Sequence, residues 1–70
     1  MDVILSARNQ LPGKIVEIKK GQTTAHIRIA VTGGAIITSS ITNESVDDMA
    51  LKVGDEVFAV IKSSDVMVGK

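Results

Sequence analysis

The sequence contains no cysteine, which excludes disulfides and thiolate-bound metal ions. Its single histidine, His26, leaves a zinc site to be built almost wholly from carboxylates, so no metal-ligating set is expected. Phe58 is the only aromatic residue and Pro12 the only proline. Neither sign of charge is in excess, with eight basic side chains against eight acidic ones. Nonspecific binding to DNA or RNA draws on clustered Lys and Arg, and single strands are also held on aromatic platforms. Both are missing, so no nucleic-acid partner is expected. No apolar run reaches membrane-spanning length, which argues against a membrane partner. The first residues lack a basic segment followed by an apolar stretch and cleavage site. The expectation is a cytoplasmic protein.

Seventy residues make one domain, taken here as residues 1–70. A domain of this size buries a modest share of its surface and is commonly reinforced by disulfides, a metal or partner subunits. With the first two set aside, oligomerisation remains. The composition agrees. Hydrophobic residues make up 44% of the chain and are mainly Ile, Val, Ala and Leu, which fill thin sheet interiors and subunit contacts better than one large core.

Residues 3–7 form a short apolar start that reads as a strand. Leu11-Pro12-Gly13 reads as an interruption, because proline removes a donor and glycine tolerates unusual dihedrals. Residues 14–20 are strand-like, and Gly21-Gln22 is a hairpin turn. The clearest signal spans residues 23–31, where Ala25, Ile27, Ile29 and Val31 alternate with Thr24, His26, Arg28 and Ala30. Period two over that length predicts a strand with one buried face. Thr32-Gly33-Gly34 is a second turn, and residues 35–41 resume as strand. Thr42 and Asn43 suit a helix start, Glu44, Asp47 and Asp48 suit its positive end, and Val46, Met49 and Ala50 fall at helical spacing over roughly two turns. Residues 57–61 are a continuous apolar run, which predicts a strand covered on both sides. Residues 66–68 read as a last short strand. Five or six strands with one short helix define an all-β chain, of the kind that closes into small barrels, including oligonucleotide-binding-type barrels.

No local motif announces a catalytic set, and the chain is too short to enclose a deep pocket, so an enzyme is not expected. Two polar clusters matter more. Ser6-Ala7-Arg8-Asn9-Gln10 and Lys62-Ser63-Ser64 each follow an apolar strand and each join a cation to hydroxyls. An anion site needs positive charge and donors placed around the oxygens. Arg presents a planar fork to two oxygens, while Lys is a compact point charge. Thr42 and Ser45 add hydroxyls at a helix start, where free N–H groups also favour an anion. Taken singly, each residue has a plainer reading. Hydroxyls at strand ends form turns, and Arg or Lys there is solvated. Thr42 caps a helix, His26 is a surface residue, Lys19-Lys20 is a hairpin rim, and Met49 and Met67 are packing.

The run Ser6-Ala7-Arg8-Asn9-Gln10, followed two residues later by Gly13, resembles the signature of the molybdenum-binding Mop domain. Residues 59–67 resemble the same family's final strand, and the length is similar to that of its single-domain members, the molbindins. The resemblance implies an oligonucleotide-binding-type β-barrel. It implies a homohexamer built as a trimer of dimers, with an N-terminal strand exchanged between partners and molybdate, or tungstate, held at subunit interfaces as ligand without any cofactor. The site residues it implies are Ser6, Arg8, Lys62 and Ser63, with Thr42 and Ser45 supplied by the neighbouring subunit. A second oxyanion site, looser in its match, would involve Lys19, Lys20, Gly21 and Gln22. Pro12 departs from the pattern, standing where many members carry lysine or another residue. Little effect on the main site is expected, since Arg8 and Lys62 persist. The implied function is storage and homeostasis of molybdate. The alternatives are a regulatory or delivery module that passes molybdate to a partner protein and, less favoured, a nucleic-acid-binding barrel.

Overall fold

The alternating segment becomes the centre of the fold. The computed structural model describes residues 8–70, and in it strand β2 (Thr24–Val31) buries Ala25, Ile27, Ile29 and Val31 to between 0 and 6% exposure. The intervening Thr24, His26 and Arg28 face solvent. On one side β2 pairs with β3 (Ile36–Thr42), and on the other with β1 (Asn9–Lys20). Strand β4 (Glu56–Ile61) pairs with the free side of β1, giving an antiparallel sheet in the order β3-β2-β1-β4. The sheet curls into a half-barrel around Ile15, the four β2 residues, Ala59 of β4 and Val46 of the short helix α1 (Asn43–Asp48). Strands β3 and β4 are its two edges. They face each other across a hollow of about 380 Å³ lined by residues 37–40 and 58–61.

Strand β1 differs from the sequence reading, since it runs without a break through Leu11, Pro12 and Gly13. The Pro12 carbonyl accepts from the Thr32 amide at 3.2 Å, beyond the last β1–β2 pair, Gly13 with Val31. In an antiparallel strand the N–H and C=O of one residue point to the same neighbour. The N–H that Pro12 lacks would therefore point past the end of the β2 ladder, where it is least needed. Gly13 serves close packing rather than a turn. A Cβ there would lie 2.6 Å from the Ala30 carbonyl oxygen and 2.9 Å from Ile29 Cγ2. Farther along, a bulge between Ile15 and Glu17 leaves Val16 unpaired and lets Ile15 and Ile18 pair with Ile29 and Ile27 on the same face.

The helix is shorter than its spacing predicted. It stops at Asp48, and Ala50 takes a left-handed conformation with φ of 50°. The Leu51 amide donates to the Val46 carbonyl and the Ala50 amide to that of Asp47, both at 3.0 Å, which is the Schellman pattern of a helix end. Met49 therefore leaves the core side and is 58% exposed, contrary to the packing role expected of it. Two further expectations are corrected. Strand β4 is covered on one face only in this chain, since Phe58 and Val60 remain 43% and 41% exposed. Residues 66–68 form no strand; a 3₁₀ turn (Ser63–Asp65) precedes them, and Met67 is 93% exposed rather than packed. No ladder joins them to β1–β4. Four strands are present among the described residues, and the strand expected at 3–7 lies outside these.

Two substitutions test this account by denaturant unfolding. Gly13→Ala should destabilise by about 1–3 kcal/mol, because the added methyl meets backbone that cannot yield cheaply. Ala50→Gly should stabilise by about 0.5–1 kcal/mol, the relief of a left-handed alanine less the extra freedom glycine gains when unfolded.

Candidate functional site

The two polar clusters settle at one end of β1, and Thr42 and Ser45 at the other. The β1–β4 ladder ends on the pair Asn9 and Ile61. Arg8 stands one residue before β1 and Lys62 one residue after β4, so the register makes them neighbours at the same end. Asn9 Nδ2 donates to the Ile61 carbonyl at 3.1 Å and ties the two strand ends together. The chain then turns at once. The Lys62 carbonyl accepts from the Asp65 amide at 2.9 Å, which begins the 3₁₀ turn and exposes Ser63. Arg8 and Lys62 are both exposed, and neither forms an ion pair with another described residue. Ser6 lies outside the described residues.

Thr42 and Ser45 meet at the start of α1. The Ser45 amide donates to Thr42 Oγ1 at 3.0 Å, and the Thr42 hydroxyl donates to Ser45 Oγ at 2.9 Å. Thr42 is thus the N-cap, as its position predicted. It also makes Ser45 Oγ an acceptor, so the two hydroxyls lie side by side at this end. Asn43 secures this end to the β1–β2 turn. Its amide nitrogen donates to the Gly21 carbonyl and its backbone N–H to that of Thr23, each at 2.9 Å.

Lys19, Lys20, Gly21 and Gln22 sit at the same end and are partly committed. Lys20 Nζ pairs with Asp47 Oδ1 at 2.6 Å, and the Gly21 amide donates to the Thr24 carbonyl at 2.7 Å. Lys19 and Gln22 are exposed. His26 stands on the solvent face between Lys19 and Ser40 in the ladders, as a surface residue.

One chain therefore brings Arg8, Lys62 and Ser63 together and, separately, Thr42 and Ser45. Along β1 the two sets lie at opposite strand ends, and no hydrogen bond or ion pair joins them among the described residues. Sequence reasoning missed the side chains that fasten each set, Asn9 and Asn43. Asn9 sat within the quoted run, but its target 52 residues away is visible only once the register is known.

Comparison with known proteins adds a family. Residues 5–68 match the TOBE domain. The chain is 52% identical over 64 residues to molybdenum-pterin-binding protein 1 of Clostridium pasteurianum, an alignment covering 91% of this chain and 94% of that one. It superposes on a molybdate-binding protein from Sporomusa ovata with a TM-score of 0.91 at 35% identity, covering 97% of this chain and all of the other. With the cytoplasmic molybdate-binding protein ModG, in a structure with molybdate bound, the TM-score is 0.88 at 43% identity, over 93% of this chain and 46% of that one.

The local contacts make unequal predictions. Thr42→Ala should cost about 1 kcal/mol in thermal or denaturant unfolding, the usual loss for an N-cap. Lys20→Met should cost well under about 1 kcal/mol, because the Lys20–Asp47 pair is largely solvated.

Proposed function

The chain belongs to the TOBE-domain family, and from that footing we propose that it is a binding protein for molybdate, held between two copies of the chain. The observation that carries the reading is the placement of Arg8 beside Lys62 at the end of the β1–β4 ladder, exposed and without a carboxylate partner among the described residues. Molybdate is a dianion, and these two cations match its charge. Arg8 offers a fork to two oxygens and Lys62 a point charge. Ser63, with Ser6 ahead of Arg8 in the sequence, would add hydroxyls. Thr42 and Ser45 of a neighbouring copy would close the shell with their paired hydroxyls. The metal of the oxyanion already carries its oxygens, so such a site needs charge and donors but no metal ligands and no catalytic group. We read the role as storage rather than enzymatic turnover. Tungstate, alike in charge and nearly alike in size, would be taken by the same donors.

The oligomer is part of the proposal. Phe58, Val60 and Ile36 leave more than two-fifths of their surfaces exposed on this single chain. The two open sheet edges flank a hollow suited to an added strand. Both features favour subunit contact, which we place in a homohexamer arranged as a trimer of dimers. Burying Arg8 and Lys62 at a contact would be costly without a counter-ion. Anion and assembly should therefore stabilise each other. The cytoplasm is the proposed location, as for ModG. Among the described residues no helix is long and apolar enough to cross a membrane.

Titration calorimetry of the purified oligomer with molybdate should show saturable binding, and molybdate at a hundredfold excess over Kd should stabilise the fold by about 2.7 kcal/mol. Arg8→Ala should weaken binding by about tenfold or more, the value of a hydrogen bond to a charged group, and should blunt the thermal shift. Native mass spectrometry should count six chains. Absence of binding heat with the wild-type oligomer would sink the reading. Retention in lysate on one particular protein, released by molybdate, would favour delivery over storage.

A further inference from the structure

We infer that Asn9 is the positioning residue of the oxyanion site, acting through Lys62 and Arg8 rather than on the anion itself. The inference rests on the reading of those two cations as anion ligands. Asn9 and Ile61 already face each other in the ladder, so the bond from Asn9 Nδ2 to the Ile61 carbonyl is a second tie at the same place. That carbonyl belongs to the planar peptide unit that ends in the Lys62 nitrogen. Holding it fixes the plane from which Lys62 departs. Asn9 is also joined directly to Arg8, so one side chain sets the starting points of both cations.

Such a tie answers a definite problem. The strand end is where a ladder frays, and β4 is an edge strand with no second neighbour among the described residues. Like charges on facing positions of two strands repel, which works to part Arg8 from Lys62 before an anion arrives. The backbone of Lys62 also leaves the sheet at once for the 3₁₀ turn, so the ladder cannot hold it. The Asn9 amide resists both effects and keeps the two cations at a spacing the anion can bridge. Aspartate cannot replace it, because a carboxylate has no hydrogen to give the carbonyl and would itself attract the two cations.

The test uses the intact oligomer and molybdate. Asn9→Ala should weaken binding roughly fivefold, the net worth of one hydrogen bond. Asn9→Asp should weaken it further. Hydrogen exchange of the ligand-free Asn9→Ala protein should speed up at residues 62–64 while the amides of β2 keep their protection. A Kd for Asn9→Ala within twofold of the wild type, alongside a clear loss in Arg8→Ala, overturns the role of Asn9 and leaves the site standing. Faster exchange throughout β2 overturns it too, since the effect would then be general loosening. An unchanged Kd in Arg8→Ala overturns the site itself.

Discussion

Strand β1 keeps two registers at once, residues 13–20 against β2 and residues 9–14 against β4, and the rest of the molecule depends on their agreement. Side chains alternate along a strand, so a slip of one residue would turn Leu11, Gly13 and Ile15 outward and send Pro12 and Lys14 into the core. The core guards against this with particular residues. Gly13 fits where any side chain would strike the Ala30 carbonyl. The bulge at Val16 absorbs one residue, so that Ile15 and Ile18 both contribute to the apolar side. The same register that packs the interior brings Arg8 to Lys62, so the core and the candidate site are set by one constraint.

The size of the chain explains why its surface is unfinished. Seven residues make up the buried core among those described, and all are aliphatic. Phe58, the one aromatic, is not among them. A chain with so little interior gains stability by covering apolar surface with more chain, and Phe58, Val60 and Ile36 supply that surface. The polar ends are arranged differently. At the α1 end hydroxyls, amides and an ion pair are mostly committed to one another, whereas at the Arg8 end the cations have no ion-pair partner among the described residues.

The sequence was most legible where structure follows from neighbours. The alternation in β2 needs only its own residues, and so do the Thr42 cap and the glycine turn, where Gly33 and Gly34 adopt φ near 100°. It was least legible where the outcome depends on a distant partner. Pro12 breaks a strand only if its missing N–H is needed, and that depends on where β2 stops. The apolar run in β4 did not reveal that one of its faces would be bare in a single chain, nor did Val66 and Val68 reveal that no edge would receive them. The end of α1 turned on Ala50 adopting a conformation more often taken by glycine. The candidate site divided in the same way. Its residue types could be picked out one by one and the resemblance joined them, but the adjacency of Arg8 and Lys62 and the amide between their strands belong to the fold.

The separation of the two polar sets along β1 has an arithmetic consequence. In the proposed site each chain would supply one cationic half and one hydroxyl half to its neighbours, at opposite ends of β1. In any closed assembly that joins unlike halves, the number of complete sites equals the number of chains, whether the contacts are reciprocal between two chains or run head to tail around a ring. A lone chain has none. Occupancy would then rise more steeply than chain concentration when the protein is dilute, and a cell could adjust its capacity for the anion more steeply than it adjusts the amount of protein.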